Sequence, residues 1–391
     1  MSLLKNLVKF NSVKTSLNSA YLSTSVKETF KFDDLQLDVR KTKPDLPDDP
    51  SKLVFGGRFT DHMLTIEWDS KDGWGRPKIG PLKNLEIHPA AKCLHYAIEI
   101  FEGMKAYKGV DDKVRLFRPD LNLSRLHRSA TRSALPGFDK QELFKCIQKL
   151  VALEKDWIPK STSASLYIRP TFIGTEPTLG VSASNKALLY VLTSPAGPYF
   201  PSGFKPVTLY ANPKYIRAFP GGVGNYKCGS NYGPTVYVNI EANKKGCQQV
   251  LWLFDKEEYL TEAGTMNIFL VIKNDQGEVE LITPPLNGTI LEGVTRQSIL
   301  DLARREGKIK VSEREISMKE TLSLLENGRL LEAFGSGTAC VVCPIEGFLY
   351  NDKKFAIPTM SKGAPYMTEF AKNLNQIQYG LVKHEWAPIV E

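Results

Sequence analysis

Apolar positions recur along this chain with two periods, near 3.6 and near 2, and their alternation marks out helices and strands. HMLTIEW (His62–Trp68) alternates enough to predict a strand, reached through a proline- and acid-rich loop, KTKPDLPDDPS. LHYAIEIFEGMKAY (Leu94–Tyr107) reads as a short helix passing into a strand. LNLSRLHRSATRSAL and QELFKCIQKLVALEKDW space their apolar residues by three and four, which predicts two helices. SLYIRPTFIGT and ALLYVLTS are rich in β-branched and aromatic residues and predict strands.

Prolines and glycines break every period in TSPAGPYFPSGFKP, so a linker is expected over 194–206. It would separate a small α/β domain, 28–193, from a large one, 207–391. In the large domain VTLYA, QVLWLF, NIFLVI and KIKVSEREI predict strands. YGPTVYVNIEANKKG, LEGVTRQSILDLARREG, MKETLSLLENG and YMTEFAKNLNQIQYG predict helices. Several predicted strands are neighbours that can pair directly, which favours mixed α/β (α+β) domains over a doubly wound parallel sheet. The length agrees with two domains: 391 residues, 42% of them hydrophobic, exceed what one core usually holds.

Charge changes the picture mainly at the N-terminus. The net charge is +8, and residues 1–27 carry four lysines and no acid, so 8 − 4 leaves about +4 elsewhere. Half of the excess therefore sits in a tail and not on a recognition face, which speaks against a nucleic-acid partner. The tail has one apolar side and one basic side and is rich in serine, the composition of a mitochondrial transit peptide; it lacks arginine. A basic terminus without an address has the same composition, so the expected location is the mitochondrial matrix, with the cytoplasm as the alternative. No apolar run approaches the roughly 20 residues of a spanning helix, so no membrane segment is expected. Six scattered cysteines do not make a disulfide scaffold, and the five histidines show no metal spacing, so no metal is expected.

The densest unusual stretch is AFPGGVGNYKCGSNYGP (Ala218–Pro234). It is not a P-loop, because Lys227 follows Tyr226 and precedes Cys228. It is not a dinucleotide fingerprint, because Gly222 and Gly224 are followed by lysine where a third glycine is needed. A lysine on a glycine platform between tyrosines suits imine chemistry, which needs a neutral amine recessed among apolar neighbours. A surface lysine in a glycine-rich turn has the same local sequence.

GGVGNYKCGSNYGP resembles the cofactor-lysine segment of branched-chain amino acid aminotransferases of the eukaryotic type, which are fold type IV pyridoxal-phosphate enzymes. The resemblance continues in order through FTDHMLTIEW, LHYAIEIFEGMKAY, LFRPDLNLSRLHRSA, LYIRPTFIGTEPTLGV, YLTEAGTMNIFLV, LEGVTRQSILDLAR, FGSGTACVVCPI and IQYG. It covers roughly residue 32 to the C-terminus. It implies a two-domain enzyme with the active site between the domains, moving the amino group of leucine, isoleucine or valine reversibly to 2-oxoglutarate, with glutamate as the other product.

By the same resemblance Lys227 forms the Schiff base with pyridoxal 5'-phosphate and shuttles the proton. Glu262 partners the pyridine nitrogen, and Tyr232 donates to the phenolic oxygen. Arg125, the Val294 and Thr295 amides and Thr338 bind the phosphate, with Thr265 also beside the cofactor. Phe55, Tyr96, Phe101, Tyr167, Val181, Tyr232, Thr265 and Ala339 form the substrate pocket, and Arg169 meets the side-chain carboxylate of glutamate. Val181 reaches the neighbouring subunit's site, which makes the catalytic unit a homodimer. Cys340 and Cys343 match the family's redox CxxC; two cysteines packed as small hydrophobes would have the same spacing.

Other members of the fold, D-amino acid aminotransferases and aminodeoxychorismate lyase, keep the lysine–glutamate pair. A non-catalytic, redox-responsive binding protein on this scaffold is the reading from another class. The presence of both Lys227 and Glu262 weighs against it.

Overall fold

The computed structural model describes residues 29–40, 42, 44–198 and 205–390. The expected transit peptide, 1–27, lies outside these residues, as do 199–204 of the expected linker.

Two nine-stranded sheets carry the chain. The first contains β1 (Gln36–Leu37), β2 (His62–Asp69), β3 (Gly73–Trp74), β4 (Lys78–Pro81) and β5 (Glu99–Phe101). It is completed by β6 (Met104–Lys108), β7 (Val114–Leu116), β8 (Ser165–Gly174) and β9 (Lys186–Ala196). Its order is β1-β4-β2-β9-β8-β6-β7, with β3 on β2 and β5 on β8. Alternation puts Leu64, Ile66, Leu166, Ile168, Leu189 and Val191 on one buried face. Against it pack α2 (Pro119–Arg132) and α3 (Lys140–Leu153), through Leu123, Leu126, Leu143, Ile147 and Leu150. Asp139 caps α3 by accepting the Gln141 and Glu142 amides. A short helix, α1 (Lys92–Tyr96), precedes β5.

Pro170 stands in the middle of β8, opposite the break between β5 and β6. A residue without an N–H is tolerated where a neighbouring strand is interrupted, and the Pro170 carbonyl accepts the Glu102 amide in the gap.

The second sheet contains β10 (Val207–Ala211), β11 (Gln249–Phe254), β12 (Tyr259–Ala263), β13 (Met266–Lys273) and β14 (Val279–Thr283). It continues with β15 (Lys310–Glu313), β16 (Leu330–Gly337), β17 (Val341–Tyr350) and β18 (Lys353–Ala356). The order β12-β11-β10-β17-β16-β13-β14-β15 closes on itself, because β12 also pairs β13. Six strands therefore form a ring, mixing parallel β10–β11 and β10–β17 with antiparallel pairs. Around it lie α4 (Thr235–Lys244), α5 (Val294–Glu306), α6 (Met318–Glu326) and α7 (Pro365–Gln378). The first amides of α7, Tyr366 and Met367, donate to the buried Glu332 carboxylate on β16.

The two halves share more than a linker. Strand β9 runs through Ala196, pairing Ser194–Ala196 with Ser165–Tyr167, so the irregular connection starts after the expected residue 194. The C-terminal residues return to the first sheet: Val390 donates to the Val114 carbonyl and Leu116 to that of Pro388. One core cluster holds Tyr107 and Phe117 together with Phe269, Phe334, Phe370 and Trp386, so apolar burial is continuous across the junction.

Candidate active site

At that junction lies a cavity of about 400 Å³, within the ~300–1,000 Å³ usual for small-molecule sites. Phe55, Phe101, Tyr167 and Arg169 reach it from the first sheet's side, and Arg125 reaches it from α2. Lys227, Tyr232, Glu262 and Thr265 face it from the second half, with Val294 and Thr295 at the start of α5. Thr338, Ala339 and Cys340 line it from the turn between β16 and β17. Three of the expected residues are not in this lining. Cys343 is buried behind it. Val181 is 81% exposed, and the Tyr96 hydroxyl donates to the Leu179 carbonyl.

Lys227 is fixed through its backbone from two sides. Its N–H donates to Ser129 Oγ on α2 at 2.9 Å, and its carbonyl accepts the Phe101 amide at 3.0 Å. The preceding loop folds tightly enough that a Cβ on Gly224 would overlap that of Ala218, which leaves glycine as the residue that fits. The side chain runs over Phe101 and Tyr232, and Nζ donates to the Tyr232 hydroxyl at 2.7 Å. Burial, then the charge of Arg125, pushes the amine down from 10.5 to about 7. An amine at that value is substantially neutral at physiological pH, the state in which it attacks a carbonyl.

Glu262 sits in β12 directly opposite Asn267 of β13. The two strands are joined by Gly264, at φ 60°, and Thr265, a tight two-residue hairpin loop. Its carboxylate pairs with Arg217 Nε at 2.9 Å and accepts the Leu291 amide at 2.8 Å. Asn267 Nδ2 approaches it at 3.4 Å and donates to the Leu291 carbonyl at 2.8 Å. Burial pushes this carboxyl up, opposed first by Arg217 and then by the Leu291 amide.

Arg125 is gripped by Glu102, itself completely buried. Nε donates to one Glu102 oxygen at 2.6 Å and Nη2 to the other at 2.8 Å, while Nη1 donates to the Glu292 carbonyl at 2.8 Å. Three of the five guanidinium N–H groups are thereby spent, and one on each Nη remains. Beside them, α5 begins at Gly293 without a side-chain cap, so its first amides have no intrahelical acceptor. A Cβ on Gly293 would overlap Asn267 Oδ1, so glycine keeps the helix start close to the Glu262 hairpin. Free amides beside two unspent guanidinium N–H groups are an arrangement that can receive an anion.

The remaining wall is aromatic, with Phe55 edge-on to Tyr167 at 4.8 Å and Phe101 beside Tyr232 at 4.9 Å. One cation interrupts it: Arg169 lies over Phe101 at 4.7 Å and donates to the Tyr167 hydroxyl at 3.0 Å, and its buried Nε has no partner. Cys340 and Cys343 are buried free thiols, both pushed up to about 12 by burial. Cys340 points its sulfur at Met266.

Three polar residues of the site escaped the reading of the sequence: Glu102, Arg217 and Asn267. Glu102 was within reach, being one of two acids, with Glu99, in the apolar stretch IEIFEGM. Arg217 gave no signal beyond standing just before the glycine-rich stretch.

Residues 99–347 match the family described as amino-transferase class IV. The chain is 56% identical to a cytosolic branched-chain-amino-acid aminotransferase of Ovis aries over 363 residues, 92% of this chain and 93% of that one. It is 55% identical to a mitochondrial branched-chain-amino-acid aminotransferase of Bos taurus over 359 residues, 92% of this chain and 91% of that one. The solved branched-chain amino acid aminotransferase of Escherichia coli has the same fold, with a TM-score of 0.65 at 23% identity over 85% of this chain and 99% of that one. The chain belongs to the branched-chain-amino-acid aminotransferases, within the class IV amino-transferase family.

Proposed function

We propose that this chain transfers the amino group of leucine, isoleucine or valine reversibly to 2-oxoglutarate, with pyridoxal phosphate held on Lys227. The observation that carries this reading is the convergence of a lysine held near pKa 7, a buried carboxylate and an unspent guanidinium edge on one cavity. The donor set fits the cofactor: an amine for an aldehyde, a carboxylate for a ring nitrogen, and a helix start with Arg125 for a phosphate. When bound, pyridoxal phosphate supplies a ring that takes up the electrons of the substrate Cα–H bond.

The chain's own groups do the rest. Lys227 would hold the cofactor through its amine and would move the proton at the substrate Cα. Glu262, oriented by Arg217, would hold the proton on the ring nitrogen. Tyr232, already bonded to Nζ, would donate to the phenolic oxygen, and Thr265 would flank the ring. Arg125, the Val294 and Thr295 amides and the Thr338 hydroxyl would bind the phosphate. Phe55, Phe101, Tyr167 and Ala339 would exclude water from the aliphatic side chain, and Arg169 would meet the second carboxylate of glutamate.

The exposure of Val181 and its absence from its own chain's cavity support a homodimer in which Val181, with Tyr96 beneath its loop, completes the neighbouring copy's pocket. The Cys340–Cys343 pair would serve as a peroxide-responsive switch beside the Thr338 turn. The relatives include both cytosolic and mitochondrial proteins, and the basic, serine-rich segment 1–27 supports the mitochondrial matrix. No helix of the described residues is long and apolar enough to cross a membrane.

The test is spectroscopic. Protein mixed with pyridoxal phosphate should change absorbance on addition of leucine and revert on addition of 2-oxoglutarate. Absence of any response to leucine overturns the reading.

A further inference from the structure

A second lysine is buried outside the cavity's lining. Lys92, at the start of α1, is 1% exposed. Its Nζ pairs with Glu176 at 2.7 Å and donates to Ser182 Oγ at 2.7 Å, the Ala183 carbonyl at 2.8 Å and the Ser182 carbonyl at 3.2 Å. An ammonium has three N–H groups, so these partners saturate it. All of them belong to one loop, between β8 and β9. A buried charge is costly unless fully paired, and here the whole of that pairing is directed at loop geometry.

The rest of α1 grips the same loop. The Lys92 amide donates to the Glu176 carbonyl, and Ala91 forms an isolated bridge with Pro177. The Tyr96 hydroxyl holds the Leu179 carbonyl. Glu176 in turn accepts the Asn185 amide at 3.0 Å and Asn185 Nδ2 at 3.1 Å, closing the base of the loop. What this clamp presents is an apolar tip, Leu179 and Val181, 64% and 81% exposed.

We infer that Lys92 is a positioning residue for branched-chain substrates: it holds the 176–183 loop in the shape that lets Val181 complete a second copy's pocket. The inference rests on the dimeric reading above. A loop already ordered spends no binding energy on ordering itself when substrate arrives. Without the ammonium, the loop keeps its side chains but loses its fixed shape. The loss falls on binding of the aliphatic side chain, because the groups that bind cofactor and move the proton are elsewhere. Glutamate, held through its charge by Arg169, depends less on the apolar tip.

The test compares wild-type holoenzyme with Lys92→Met and Glu176→Gln, measuring kcat and KM for leucine and for glutamate, cofactor affinity by equilibrium dialysis, and mass by light scattering. Lys92→Met should raise the leucine KM about tenfold, the scale of a lost apolar pocket contact. Its leucine kcat and glutamate KM should stay within about threefold of wild type, with cofactor affinity unchanged. Glu176→Gln should move the same parameter less, and decides the matter alone if Lys92→Met does not fold. A leucine KM unchanged in a dimeric variant overturns the inference and leaves the proposed activity standing. Parallel loss of leucine, glutamate and cofactor binding also overturns it, as the mark of a merely structural lysine. A wild type that turns over leucine as a monomer overturns the second-copy reading and this inference with it.

Discussion

Arg217 and Glu262 form an ion pair at 2.9 Å with side chains only 4% and 3% exposed, although 45 positions separate them in the chain. Burial pushes the Glu262 carboxyl up, and the arginine is the largest influence opposing that rise. Removing one partner of a buried pair typically costs ~3 kcal/mol or more, because the other is left uncompensated. Arg217→Met should therefore lower stability by about that amount and push the Glu262 carboxyl further up, since Arg217 is the largest force holding it down. Loss of kcat should exceed any rise in leucine KM. The double variant Arg217→Met/Glu262→Gln should regain much of the stability and none of the activity. Urea denaturation with steady-state kinetics on the three variants checks this; a double variant no more stable than the single one would contradict it.

The depressed Lys227 amine fixes a pH dependence. Its folded value, about 7, lies below the 10.5 expected of an exposed lysine. Below pH 7 both the folded and unfolded forms carry the proton, and the buried charge destabilises the fold in full. Between pH 7 and 10.5 the unfolded chain holds more protons, so this penalty is relieved as pH rises. Cofactor-free Lys227→Met should thus be more stable than cofactor-free wild type at pH 6, with the gap closing towards pH 10. Thermal denaturation at matched ionic strength reads it directly. A gap independent of pH would mean that the amine is not depressed.

Much of this fold is legible in the sequence. The helices α2, α3, α5 and α7 and the strand β2 follow from period, since each buries one face, whereas β8 and β13, buried nearly throughout, are marked by their apolar, β-branched and aromatic content. Lys227 was readable as a candidate from glycines and flanking tyrosines, whereas Glu262 became one only through resemblance. The partners that make these residues work were not readable, because ion pairs such as Glu102–Arg125 and Arg217–Glu262 join distant segments, and no local pattern specifies such a pairing. The closing of the second sheet through the β12–β13 hairpin and the return of Val390 to Val114 are long-range for the same reason. Ser194–Ala196 looked irregular because of Pro195, yet pairing with β8 holds them in the strand.

On the proposed reading, Arg169 would separate the two substrates. Its Nε is buried without a partner, and it faces an otherwise aromatic wall. Glutamate would supply the missing acceptor and leucine would not. A charged hydrogen-bonding contact is worth roughly 1.5–3 kcal/mol, so Arg169→Ala should cut kcat/KM for glutamate about 10- to 100-fold. Leucine should lose only the packing of the guanidinium on Phe101 and Tyr167, a few-fold effect by comparison. Single-turnover measurements of each half-reaction check the ratio, and equal losses would contradict the assignment.

The buried thiols set the conditions under which a CxxC switch would respond. Cys340 and Cys343 are both pushed up to about 12 by desolvation; for Cys340 the nearby Lys105 pulls the other way, and for Cys343 the Cys340 sulfur adds to the rise. The thiolate, not the thiol, attacks peroxide. Well below pH 12 the thiolate fraction grows about tenfold for each pH unit, so the rate of inactivation by peroxide should climb steadily from pH 7 to 9 and show no plateau there. An exposed thiol would bend over near its ordinary value of 9. Cys340→Ser should abolish the sensitive phase, because Cys340 lines the cavity next to Thr338 while Cys343 lies behind it. A rate flat in pH, or equal sensitivity in Cys340→Ser, would assign both cysteines to packing against Met266 and the β16–β17 ladder instead of to a switch.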